Sequence, residues 1–67
     1  MSPEQEYFLE VAKNELDLAR RCLAQKRYAK AQEHILEAKY WSYKVPAEFT
    51  VGSFIDNLSE LEKLAYR

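Results

Sequence analysis

The stretch Tyr28–Val45, YAKAQEHILEAKYWSYKV, decides the fold of this 67-residue chain. When it is drawn as a helix, with about 100° per residue, two apolar stripes run along it. The first stripe consists of Tyr28, Ala31, Ile35, Ala38, Ser42 and Val45, and the second of Ala29, Leu36, Tyr40 and Tyr43. A helix that is apolar around most of its circumference is covered on more than one side. The stretch therefore predicts an all-α protein in which other helices, and a second copy of the chain, surround this helix.

The residues before this stretch predict a long first helix. Ser2, Pro3 and Gln5 follow the order of a helix start, with a capping residue, a proline at the first helical position and the glutamine of a capping box. Apolar residues then recur at three- and four-residue spacing, and the phase of this pattern changes across 25–27. The change of phase predicts a short turn and an antiparallel hairpin.

A third helix is expected after Pro46, because a proline disfavours helical geometry at the residue before it. Thr50 and Ser53 are both suitable capping residues, and Phe49 is expected to pin the connection to the core. The predicted helices span 3–24, 27–44 and 51–65, within a single domain that covers residues 1–67.

Length and composition favour self-association. A domain of this size buries only about 60% of the surface of its unfolded chain, and small domains compensate with disulfides, metals or oligomerisation. Cys22 is the only cysteine and His34 the only histidine, so neither an internal disulfide nor a zinc site is expected. No cofactor is expected either. We therefore expect a homodimeric helical bundle.

Charge and hydropathy narrow the classes of function. The net charge of −1 favours neither a nucleic-acid binder nor a clamp for acidic substrates. The first residues do not resemble a signal peptide, and no apolar run has the length of a membrane span. The sequence predicts a cytoplasmic protein with no membrane partner.

The self-association or partner surface is expected on helix 2. Its predicted residues are Tyr28, Ile35, Leu36, Tyr40, Trp41 and Tyr43. Trp41 shares a face with His34, seven residues earlier, and tryptophans are frequent anchors in interfaces. The alternative is that Trp41 is buried beneath helix 3 or a dimer partner.

A second candidate surface lies around the predicted turn. It consists of five cations, Arg20, Arg21, Lys26, Arg27 and Lys30. Such a cluster can contact nucleic-acid phosphates, and Tyr28 among them can stack on a base. The alternative is a solvated hairpin tip with some charges paired to Asp17 and Glu33.

No arrangement of residues predicts an enzyme. Glu15 lies inside the apolar arc of helix 1, where burial would raise the pKa of a carboxyl group, but no second carboxylate shares its stripe. We expect Glu15 to pair with a lysine, arginine or tyrosine of helix 2 or of a partner subunit. Cys22 is expected to be a buried, inert thiol.

Residues 12–43 resemble a single tetratricopeptide-type hairpin, in which Leu18 and Ala19 precede Tyr28, Ala31, Ile35 and Ala38 at the repeat's spacing. The same residues are similar to the opening hairpin of HEPN domains. Both resemblances imply two helices packed closely through alanines. The small size and helical character also resemble accessory proteins of phage early regions, which implies a regulatory protein that acts by binding another protein.

Overall fold

The computed structural model describes residues 1–66 and contains three α-helices and one short 3-10 helix. Helix α1 spans Pro3–Ala24, α2 spans Tyr28–Ser42, the 3-10 helix spans Ala47–Phe49 and α3 spans Ser53–Ala65. Residues 1–66 contain no strand. Helices α1 and α2 form the closest packing as a hairpin, and α3 lies against both. The predicted all-α architecture of a long hairpin followed by a third helix is confirmed.

The start of α1 is fixed by a capping box. The Gln5 backbone N–H donates to Ser2 Oγ at 3.2 Å, and the Ser2 backbone N–H donates to Gln5 Oε1 at 3.2 Å. These two bonds satisfy donors that the first turn of a helix cannot pair internally. Pro3 occupies the first helical position, where the missing N–H has no consequence.

The turn between α1 and α2 closes in a Schellman arrangement. The Arg27 N–H donates to the Cys22 carbonyl at 2.8 Å, and the Lys26 N–H donates to the Leu23 carbonyl at 3.0 Å. Lys26 has a φ of 60°, the left-handed conformation that this motif usually assigns to glycine. Helix α2 then begins after Arg27 with no side-chain cap. The turn therefore depends on backbone hydrogen bonds and places a lysine in an unfavourable conformation.

Small side chains line the contact between α1 and α2. Ala12, Ala19, Ala31 and Ala38 are fully buried in the same core as Ile35. A methyl side chain lets two helix backbones approach closely, and a larger one would force them apart. The alanines therefore set the spacing of the hairpin.

The connection between α2 and α3 differs from the prediction. Helix α2 ends at Ser42, and the N-cap of α3 is Gly52, with a φ of 85°. Neither predicted cap serves α3, because Thr50 Oγ1 donates back to the Ala47 carbonyl at 3.1 Å and Ser53 is already helical. Phe49 is 40% exposed and does not pin the connection. Val45 and Thr50 are the buried residues of this segment.

Helix α3 packs against both helices of the hairpin through Phe54, Leu58, Leu61 and Ala65. Two polar contacts fix its direction. Gln32 Nε2 donates to the Ala65 carbonyl at 2.8 Å, and Lys39 Nζ lies 2.6 Å from Glu62 Oε2. Because the lower-numbered residue of α2 contacts the higher-numbered residue of α3, the two helices are antiparallel. Helix α3 therefore runs in the same direction as α1 and ends beside the α1–α2 turn. Within residues 1–66, no helix combines the length and the apolar character that crossing a membrane requires.

Candidate interaction surfaces

The second apolar stripe of α2 remains uncovered in the single chain. We call it the outer face of α2, and it consists of Ala29, Leu36, Tyr40 and Tyr43. The exposed fractions are 57% for Leu36, 55% for Tyr40 and 80% for Tyr43. Helices α1 and α3 cover the opposite side of α2, where Ala31, Ile35 and Ala38 are fully buried. The structure therefore leaves an apolar surface of Leu36, Tyr40 and Tyr43 along about two turns of helix.

The other predicted surface residues of α2 lie elsewhere. Ile35 is fully buried in the core of the single chain, so its assignment to a partner surface is corrected here. From Ala31 to Val45, the stripe that contains Ile35 is buried against α1 and α3. Tyr28 is 47% exposed and lies beside the turn. There it lines a cavity of about 290 Å³, together with Arg20, Leu23, Ala24, Leu61 and Leu64.

Trp41 belongs to an aromatic cluster at the open end of the hairpin, formed by Tyr7, Phe8, Tyr40 and Trp41. The ring centroids of Trp41 and Phe8 are 5.5 Å apart, and those of Trp41 and Tyr40 are 5.2 Å apart with the rings nearly perpendicular. Lys44 Nζ lies 4.9 Å from the Tyr40 ring centroid, within cation–π range. Trp41 is half-buried on Phe8 of α1. It therefore joins the two helices of the hairpin, which neither of the two sequence-based alternatives anticipated.

Glu15 and His34 form a polar contact between the helices. His34 Nδ1 lies 2.6 Å from Glu15 Oε2, and the two side chains are 20% and 21% exposed. An ionised carboxylate only accepts hydrogen bonds, so Nδ1 is the donor. The sequence correctly predicted a partner on helix 2, but it predicted a lysine, arginine or tyrosine. The partner is the histidine.

The Glu15–His34 pair could have been identified from two equal spacings in the sequence. Phe8 and Glu15 are seven residues apart on α1, and His34 and Trp41 are seven apart on α2. In an antiparallel hairpin, a register that places Phe8 against Trp41 also places Glu15 against His34.

These two contacts lie on the side of α2 that faces away from α3. On α2, Gln32 and Lys39 contact α3. His34 and Trp41 are each two residues further on, about 160° away around the helix. The two contacts therefore lie on the side of the hairpin that α3 leaves open.

The pKa of Lys39 is raised above its ordinary value. The hydrogen bond to Glu62 raises the pKa of Lys39, and the negative charge of Glu62 adds to this effect, whereas partial burial opposes it. Charges on Tyr43 and Tyr66 act in the same direction as Glu62. The pair attaches α3 to α2 next to the outer face of α2.

The basic turn, formed by Arg20, Arg21, Lys26, Arg27 and Lys30, is exposed throughout. Residues 18–32 contain no acidic side chain. Lys30 Nζ lies 3.2 Å from Glu33 Oε2, so one of the five cations has a neighbouring counter-charge. Helices α1 and α3 both end at this side of the molecule. Cations near the carboxyl ends of helices are favoured by the helix dipole, which gives part of the cluster a structural role.

The described part of the chain contains no group of three or more histidine, cysteine, aspartate or glutamate side chains arranged to hold a metal ion. Cys22 is buried, as predicted. Comparison with protein-family models, with curated proteins and with solved structures finds no match to this chain. The resemblances to a tetratricopeptide-type hairpin and to HEPN domains therefore remain predictions from the sequence.

Proposed function

We propose that this chain is a small helical interaction protein without enzymatic activity, which self-associates and acts by binding another protein. The observation that supports this proposal is the exposed outer face of α2. Leu36, Tyr40 and Tyr43 are each more than half exposed, although they stand on a helix whose opposite side is fully buried. Tyrosine is enriched at protein interfaces because its ring is apolar while its hydroxyl remains hydrated.

The size of this face suits the centre of a protein interface. With about 200 Å² for a tyrosine, exposures of 55% for Tyr40 and 80% for Tyr43 correspond to roughly 270 Å². Leu36 extends the patch, which then approaches the largest apolar patches found on monomers, and such patches are often functional. A specific interface buries about 800 Å² on each partner, so surrounding polar residues would complete it.

The solution mass tests this proposal. We would measure light scattering after gel filtration across a dilution series, with the 7.9 kDa chain as the reference mass. The wild type is expected to give twice this mass at high concentration and to dissociate on dilution. Replacement of Leu36 and Tyr43 by serine should shift dissociation to higher concentration. The single-chain mass at every concentration up to about 1 mM would contradict self-association.

A matched control separates loss of the apolar face from general disturbance of α2. Glu33→Ser lies on the polar strip of the same helix, is exposed and removes a side chain that pairs with Lys30 of its own chain. It should keep far more of the self-association than the change at Leu36 and Tyr43. Circular dichroism of all variants should show unchanged helix content.

A second candidate function is nucleic-acid binding through the basic turn. The observation that favours it is the run of residues 18–32, which contains five exposed cations and no acid. Binding of labelled single-stranded RNA or DNA should weaken steeply with salt, because it would depend on release of counterions. Arg21→Glu with Arg27→Glu should abolish it. The control, Lys13→Glu with Lys44→Glu, changes the net charge equally away from the turn, and an equal loss in the control would contradict a specific site.

A further inference from the structure

We propose that the outer face of α2 is occupied by the same face of a second copy, with the two α2 helices antiparallel and the two-fold axis beside Tyr40. This inference rests on the proposed self-association and specifies its geometry. Three observations carry it: the position of the apolar residues along α2, the distribution of charge beside them, and the ion pair that borders the face.

The three large apolar residues of the face are centred on Tyr40. Leu36 precedes it by four residues and Tyr43 follows it by three. An antiparallel partner whose axis passes beside Tyr40 therefore places Leu36 of each copy against Tyr43 of the other. The two Tyr40 rings meet near the axis. A two-fold contact of this kind covers Leu36, Tyr40 and Tyr43 on both copies.

The polar strip beside the face has complementary charges in this arrangement. Lys30 and Glu33 already pair within one chain, whereas Glu37 and Lys44 form no ion pair within residues 1–66. In antiparallel packing, the polar strip of one α2 lies beside the polar strip of the other α2, and the two strips run in opposite directions. With the axis beside Tyr40, Glu37 of one copy comes to within about two residues' rise of Lys44 of the other. Each dimer then contains two such pairs.

Lys39 lies at the opposite border of the face. In the dimer, the Lys39 side chains of the two copies would approach each other across the axis. An isolated lysine there would repel its counterpart. Lys39 Nζ instead lies 2.6 Å from Glu62 Oε2, so each copy brings a paired charge to the border.

Two measurements on the full chain test the geometry. A spin label on Lys30→Cys, in a Cys22→Ala background, reports the distance between the two copies by double electron–electron resonance. Position 30 is ten residues from the axis, so an antiparallel dimer separates the two backbones by about 30 Å along the helices. A parallel dimer brings the two positions level, and the distance falls below about 20 Å.

Charge reversal tests the contact itself. Glu37→Lys and Lys44→Glu should each raise the dissociation constant on the order of tenfold, and the double variant should recover most of the loss. The control reverses Lys30 and Glu33, which pair within one chain, and should leave the dissociation constant within about twofold of wild type.

The possible results separate the geometry from the proposed function. A distance near 30 Å with recovery in the double variant supports the antiparallel arrangement. A dimer with a short label distance, or a double variant weaker than both single variants, overturns this geometry and leaves self-association standing. A single-chain mass for the wild type at every concentration overturns both.

Discussion

Glu15 and His34 join the middle of α1 to the middle of α2 through a 2.6 Å contact between Oε2 and Nδ1. The contact lies on the side of the hairpin that α3 does not cover. It shares one register with the Phe8–Trp41 contact, 5.5 Å between ring centroids, one heptad away on each helix. An apolar contact and a polar contact thus fix the same alignment of the two helices.

The first prediction concerns the energy of this pair. A double-mutant cycle with Glu15→Gln and His34→Ala should give a coupling free energy of about 1 kcal/mol, because the pair is only partly shielded from water. Urea denaturation of the four proteins measures it. The matched cycle uses Glu10→Gln with His34→Ala, and Glu10 is exposed on α1. Equal coupling in the two cycles would show that the Glu15–His34 contact contributes nothing specific.

Two neighbouring residues of α2 should respond in opposite ways to the same substitution. Ile35 is fully buried, and Leu36 is 57% exposed. Ile35→Asp places an unpaired carboxylate in the core and should unfold a chain of this size, whereas Leu36→Asp should remain helical. Far-ultraviolet circular dichroism distinguishes the two. A folded Ile35→Asp protein would contradict the described core.

The turn should be stabilised by a glycine. Lys26 has a φ of 60°, a conformation that costs a residue with a Cβ roughly 1 kcal/mol more than glycine. The greater freedom of glycine in the unfolded chain offsets about half of this cost, so Lys26→Gly should raise the free energy of unfolding by about 0.5 kcal/mol. The midpoint of urea denaturation measures the change.

The adjacent residue provides the control for this prediction. Gln25 has a φ of −95°, where glycine offers no conformational advantage, so Gln25→Gly should destabilise the protein. If both substitutions lowered the midpoint by the same amount, the left-handed conformation of Lys26 would be excluded in solution.

The Lys39–Glu62 pair should contribute stability that disappears at high pH. The hydrogen bond to Glu62 raises the pKa of Lys39 above its ordinary value of 10.5. Because the folded pKa is the higher one, the contribution is complete below pH 10.5 and is lost as pH rises through the raised value. The side chains are 30% and 33% exposed, so the contribution should be about 0.2–1 kcal/mol.

The test of this prediction compares the wild type with Glu62→Gln at each pH. Their difference in unfolding free energy removes the effect of tyrosine ionisation, which is common to both proteins. The difference should be constant between pH 7 and pH 9 and should decrease above pH 10.5. A difference that grows with pH would contradict the assigned role of Lys39.

Local signals in the sequence predicted much of the fold. Ser2, Pro3 and Gln5 identified the start of α1 because a capping box involves only neighbouring residues. The change of apolar phase across 25–27 located the turn, although lysine is not a typical residue for a left-handed position. The start of α3 was predicted to within two residues, but its N-cap was missed. Gly52, the only glycine of the chain, was the available signal, since its φ of 85° suits a residue without a Cβ.

The surfaces were harder to predict because they depend on which stripe of α2 the other helices cover. Periodicity revealed both stripes but not that α1 and α3 together would bury the one with Ile35 and expose the one with Leu36. The partner of Glu15 depended on the register of the hairpin. That register can be found only by comparing the seven-residue spacing on α1 with the one on α2, so the pattern of either helix alone does not reveal it.

From the three-residue connection between α1 and α2, we expect the hairpin to form first. A loop this short costs little closure entropy, and contacts between neighbouring helices form on the microsecond-to-millisecond timescale. Because the connection through Pro46 and Gly52 is longer, we expect α3 to dock last. In native-state hydrogen exchange, we expect the amides of α3 to exchange through a partial opening that leaves α1 and α2 protected.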